Sequence, residues 1–146
     1  MFSKEEAAII RKDFWTSYGK SFPRKWLLYN TKIKGFTFKF YADNEKAQVV
    51  LDIEPKREAK REALYQQVEA LKTILTEEYL PEVIFSKNYT LETGKKISRI
   101  YVQLDSEFNI YSKNTWGEAY SFFNKSMERF ELWFYEHEEF IKLANI

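Results

Sequence analysis

The sequence predicts an α+β fold, a mostly antiparallel sheet with three main helices packed on its apolar face. Three patterns carry that reading. Phe36, Phe38 and Phe40 alternate with Thr37, Lys39 and Tyr41, and Val49, Leu51 and Ile53 alternate with Val50, Asp52 and Glu54, the two-residue period of half-buried strands. Ala7, Ile10, Phe14 and Tyr18 fall instead on one helical face. From Trp116 onward, Ala119, Tyr120, Phe123, Met127, Phe130, Phe134, His137 and Ile141 recur at helical spacing over a long segment.

In chain order, Ser3-Lys4-Glu5-Glu6 is a capping box with Phe2 placed as a hydrophobic staple, so a helix is expected to about Gly19. A connector from Ser21 to Asn30 holds Pro23 and the apolar group Trp26-Leu27-Leu28-Tyr29, expected to pack back on the core. The first hairpin turns at Asp43-Asn44 and places about Gly35 or Phe36 opposite Glu54. Its other face carries Thr37, Lys39, Asp52 and Glu54. Pro55 starts a helix with the stripe Leu64, Val68, Leu71 and Leu75, ending near Leu80-Pro81. Val83 to Leu91 and Lys96 to Leu104 form a second hairpin around Glu92-Thr93-Gly94-Lys95. A short strand is expected over Phe108 to Tyr111, and Asn114 as N-cap of the last helix. The order is αββαβββα, in one domain over residues 1–146.

Composition removes whole chemistries. Without cysteine there is no thiol catalysis, disulfide or cysteine-held metal in this chain. A single histidine, His137, leaves no multi-histidine metal site. No apolar run approaches the roughly 20 residues that span a bilayer, and the opening MFSKEEAA lacks the apolar core of a secretory leader. No Gly-rich phosphate loop is present, and four glycines in 146 residues disfavour a nucleotide fold. The cytoplasm is the expected compartment.

Net charge is only +1, but its distribution is uneven. From Phe14 to Ala42 there is no acid, against Lys20, Arg24, Lys25, Lys32, Lys34 and Lys39. The last helix carries Glu118, Glu128, Glu131, Glu136, Glu138 and Glu139. Such asymmetry steers a partner or a second copy of the chain.

Four regions are candidate sites. Asp52 and Glu54 share a strand face and Lys56 follows at the same parity. Acid-x-lysine at a strand end is half of a restriction-nuclease-type signature, in which carboxylates hold Mg²⁺ and the lysine assists the attacking water. The same residues also read as a solvated strand face with a carboxylate capping the next helix. Lys56, Arg57, Lys60 and Arg61 oppose the helix dipole at its start, where free N–H groups and cations together make an anion site. Interleaved Glu58 and Glu62 give the alternative, a solvated charged face. The basic segment Lys20 to Tyr41, with Trp26, Tyr29 and Tyr41, has the composition of a single-strand nucleic-acid surface, although Phe36, Phe38 and Phe40 belong to a core. Finally, Phe122, Leu132, Trp133, Tyr135 and Phe140 add apolar surface to the last helix. They imply burial over a wide arc or a homodimer through this helix. His137 reads as a packed histidine; Glu136, Glu138 and Glu139 beside it point in different directions.

These stretches resemble a bacterial family of unknown function, family 4268. The matching segments are Phe14 to Gly19, Phe36 to Glu54, Ile97 to Tyr101, Asn109 to Tyr111 and Asn114 to Trp116 with the helix that follows. Some relatives carry such a region after a nuclease-like one, so the resemblance implies work connected with nucleic acid, and it supplies no catalytic residues. The expected function is a non-enzymatic module for an anionic partner such as nucleic acid. The alternatives are a Mg²⁺-dependent nuclease using Asp52, Glu54 and Lys56, and a small-ligand domain with an apolar cavity between helix and sheet.

Overall fold

A computed structural model describes residues 2–23 and 30–144. Trp26-Leu27-Leu28-Tyr29, expected on the core, lie outside the described residues, as do Arg24 and Lys25. The elements are α1 (Lys4–Ser21), β1 (Phe36–Ala42), β2 (Ala47–Ile53), α2 (Glu58–Ala70), the short α3 (Lys72–Ile74), β3 (Ile84–Thr90), β4 (Lys96–Gln103) and α4 (Trp116–Lys142). The capping box forms as the sequence requires: the Glu6 N–H donates to Ser3 Oγ at 3.1 Å and the Ser3 N–H to Glu6 Oε1 at 3.2 Å.

The four strands are all antiparallel, in the order β1-β2-β4-β3. Phe36 pairs with Ile53, and the Glu54 N–H donates to the Gly35 carbonyl at 2.6 Å, so Gly35 does stand opposite Glu54. Gly35 has φ +72°, and a Cβ there would collide with the backbone of Pro55. Only glycine allows the chain to pass so close in that conformation. One face of the sheet bears Phe36, Phe38, Val49, Leu51, Ile53, Ile100 and Val102, and α1, α2 and α4 close over it. Twelve buried aromatic side chains meet in that core among the described residues, mostly edge-on or tilted. Phe38, for example, lies 5.3 Å from Phe130 and 5.7 Å from Phe134.

Four expectations are corrected. Phe108 to Tyr111 is not a strand: Phe108 and Ile110 are buried, but the segment is anchored singly, by Ile110 N–H on Asp43 O and Trp116 Nε1–H on Ile110 O. The order is therefore αββαββα, the α3 segment continuing α2. A 3₁₀ turn, Lys113–Thr115, precedes α4, and Thr115 rather than Asn114 is the N-cap. The middle helix begins at Glu58 rather than Pro55, because Lys56 and Arg57 are still outside it. It also does not run unbroken to Leu80: it is interrupted at Leu71 and finishes as a π-helical turn, Leu75–Tyr79, closed by the Leu80 N–H on the Leu75 carbonyl. The wider turn lets Leu75 and Leu80 both reach the core, which ordinary α-helical spacing would not.

Candidate functional site

The sheet face opposite the core is covered by no helix among the described residues. By strand parity it bears Thr37, Lys39 and Tyr41 from β1, Gln48, Val50 and Asp52 from β2, Ile97, Arg99 and Tyr101 from β4, and Ile84, Ser86 and Tyr89 from β3. A solvated face is not what results. Every residue of β2 is buried, Asp52 to 1 % exposure, because long side chains on both neighbouring strands fold across this central strand.

Asp52 sits at the centre of an ion-pair web. Arg99, its cross-strand partner, grips it with two hydrogen bonds, Nε to Oδ1 at 2.7 Å and Nη2 to Oδ2 at 2.9 Å. Lys39 Nζ lies 3.3 Å from Asp52 Oδ2 and 3.6 Å from Glu54 Oε2, and Lys95 Nζ lies 3.5 Å from Glu54 Oε1. Burial works against the charge of Arg99. The hydrogen bonds and charge of Asp52 more than offset it, so the guanidinium holds its proton more firmly than an ordinary arginine. Asp52 and Glu54 thus converge, but on Lys39. Glu54 does not cap α2, and Lys56 points away into solvent without joining the web. No group of three or more potential metal-ligating side chains forms among the described residues.

The start of α2 adjoins this web. Arg57 is the N-cap, in extended backbone, and no side chain caps the helix. Arg61 turns inward and is buried. Its Nη1 donates to Lys87 O at 2.6 Å and Ser98 Oγ at 2.8 Å, its Nη2 to Asn88 Oδ1 at 3.2 Å and to Glu58, and its Nε to Glu58 Oε2 at 3.2 Å. The hydrogen bond from Arg61 holds the Glu58 carboxyl below its usual range. Arg61 reaches the Lys87 carbonyl where β3 slips register between Ser86 and Tyr89, which ties the helix start to the sheet. Glu62 pairs with Lys87 at 2.5 Å. The nearby acids Asp52, Glu54, Glu58 and Glu62 are therefore each matched by a cation. Lys56, Arg57, Lys60 and Lys96 form no ion pair among the described residues.

Elsewhere the candidates separate. Lys39 and Tyr41 of the basic segment reach the open sheet face, whereas Phe36 and Phe38 enter the core and Lys20 lies in the last turn of α1. Trp133 is fully buried, so α4 is covered over a wide arc; Leu132, Tyr135 and Phe140 stay exposed on it, as does Leu143 just beyond its end. His137 is half-buried, its Nε2 4.0 Å from Glu136. A groove of about 500 Å³ runs between the π-turn, the end of β4 and α4, floored by Leu80, Val102, Leu104 and Phe122 and flanked by Glu77, Arg129 and other charged residues.

Sequence reasoning missed Arg99, Tyr89 and Tyr101. Their parity in β3 and β4 was readable, but the β2–β4 pairing that brings them beside Asp52 joins strands not adjacent in sequence.

A family model described as a domain of unknown function (DUF4268) matches residues 10–138, and the chain belongs to that family. No curated protein and no solved structure matches it.

Proposed function

We propose that this DUF4268 chain is a non-enzymatic binding module for an anionic partner, a nucleic acid gripped through its phosphates at the start of α2. One observation carries the reading. Lys56, Arg57 and Lys60 form no ion pair at an uncapped helix N-terminus, while every acid nearby is already paired, and Lys96 stands close enough to Glu58 to help hold its carboxyl low. Free N–H groups and unpaired cations favour a phosphate in the same place. Arg61 serves by anchoring the helix rather than by touching the ligand, since all its donors are engaged within the fold.

The Mg²⁺-dependent nuclease ranks second. It asks Asp52 and Glu54 to hold the ion and Lys56 to assist water. An ion between these carboxylates would meet the Lys39 ammonium and compete with Arg99 for both oxygens of Asp52. The small-ligand reading draws on the open groove beside α4, and a homodimer on the exposed Leu132 and Tyr135.

The test is fluorescence anisotropy of labelled DNA and RNA oligonucleotides against the full chain across a salt series. Binding should weaken steeply with salt, and the triple variant K56A/R57A/K60A should lower the log–log slope by about 2–3, roughly 0.7–0.9 per lost phosphate contact. Lys12→Ala, on the exposed side of α1, should leave the slope unchanged. Absence of binding at low salt, or an unaltered slope in the triple variant, overturns the proposal. Mg²⁺-dependent cleavage that disappears in Glu54→Gln would put the nuclease in its place.

A further inference from the structure

We propose that the open sheet face is a base-stacking platform, so that the nucleic acid held at α2 is single-stranded. This rests on the nucleic-acid reading above and adds to it the strandedness of the ligand. Three tyrosines from three strands, Tyr41, Tyr89 and Tyr101, stand on this face, all partly exposed. Tyr89 and Tyr101 lie edge to face with centroids 6.4 Å apart. Ile84, opposite Tyr101 across the strand pair, is 45 % exposed and extends the apolar strip.

Two of the rings, Tyr89 and Tyr41, are held in place before any ligand arrives. The Arg99 guanidinium lies 4.4 Å from the Tyr89 ring centre, and Arg99 is itself fixed by its two bonds to Asp52. The Tyr41 hydroxyl donates to Asp43 at 2.8 Å, and Lys46 lies 5.7 Å from its ring. The acids of the face are occupied: Asp52 by Arg99 and Lys39, Glu54 by Lys39 and Lys95, and Asp43 by Tyr41 and the N–H groups of Glu45 and Lys46. Glu92, in the β3–β4 loop, lies near Tyr41 and takes part in none of these pairs.

Continuity with α2 decides the occupant. Tyr101 stands three strand positions from Ser98, about 10 Å along the strand. Ser98 is opposite Ile53, where β2 leads through Pro55 into Lys56 and Arg57. Tyr89, paired with Ile97 one position before Ser98, stands at the end of the open face where the chain runs on to these cations. A single-stranded nucleic acid matches both, with bases on the rings and phosphates on the cations. A duplex keeps its bases stacked inside and uses only the cations.

The experiment compares an oligothymidylate with a DNA duplex of equal length, each titrated with the full chain. The single strand should bind at least 10-fold tighter. Tyr101→Ala should weaken single-strand binding roughly 5–150-fold and leave duplex binding unchanged. Tyr101→Phe keeps the ring and should retain affinity, which separates stacking from any effect on folding. If both ligands bind alike and Tyr101→Ala changes neither, while K56A/R57A/K60A still lowers the salt slope, the platform is wrong and the anion site stands. If neither ligand binds, both proposals fall.

Discussion

At the scale of a residue, Asp52 shows how one side chain changes meaning with its partner. Alternation in β2 was legible, and it put Asp52 on the face away from the core. Solvent was the natural expectation for a carboxylate there. Its partner was not legible, because local pattern sets strand parity but not which distant strand pairs with it. With Arg99 across from it, the carboxylate becomes half of a buried bidentate pair, the two side chains 1 % and 10 % exposed. Removing one member of such a pair leaves the other as a buried, poorly compensated charge, which costs more than the pair itself contributes. Asp52→Ala should therefore destabilise the fold by about 3–5 kcal/mol, read from urea unfolding, and equally with or without Mg²⁺. A variant as stable as the parent in Mg²⁺-free buffer would show that Arg99 does not depend on this carboxylate, and the metal reading would regain ground.

At the scale of an element, α2 is built less firmly than its sequence allows. Proline at position 55 made a helix start legible, but the first helical residue is Glu58, with two cations between. The π-turn at the far end was not legible, because the stripe Leu64, Val68, Leu71, Leu75 satisfies an ordinary helix and only packing against α4 shows that Leu80 must also turn inward. The start of α2 has an arginine where serine, threonine, aspartate or asparagine would accept an N–H, and cations where the helix dipole favours acids. α1 of the same chain carries a full capping box, so the difference lies in the position and not in the chain's composition. A weakly capped, basic helix start is what a phosphate-binding end requires, since a capping side chain would occupy the same N–H groups. Arg57→Ser supplies the missing acceptor. It should raise stability by about 1 kcal/mol while lowering the oligonucleotide salt slope by roughly 0.7–0.9. The two effects have opposite signs, so a folding defect cannot imitate the binding loss. Higher stability with binding intact would mean that this end of α2 is only a charged helix start.

At the scale of the whole molecule, paired ionisable groups set the pH range in which the fold is stable. On the acid side, burial opposes the charge of Asp43, but the N–H groups of Glu45 and Lys46 and the Tyr41 hydroxyl outweigh it, and the carboxyl is held below its ordinary 3.8. Glu58 is held below 4.5 by Arg61. A depressed folded-state pKa contributes stability above the unfolded value and loses it as pH falls through the folded one. On the alkaline side, burial and then Asp43 push the Tyr41 hydroxyl up to about 12. The hydrogen bond to Glu136 raises Tyr79 likewise to about 12. Between pH 10 and 12 the unfolded chain releases these phenolic protons and the folded chain keeps them, so stability is full below 10 and declines through that window. The urea midpoint should therefore be level from about pH 5 to 10 and fall on both sides. Tyr79 makes the alkaline limb attributable, because its hydroxyl joins the π-turn to α4, away from both proposed binding regions. Tyr79→Phe removes the titrating proton and the hydrogen bond together. It should lower the midpoint at pH 7 and flatten the decline between pH 10 and 12. Ultraviolet titration of the folded chain at 295 nm should show one fewer late-ionising tyrosine. A variant that lowers the midpoint by the same amount at every pH would mean that the Tyr79–Glu136 bond holds the turn without holding the proton.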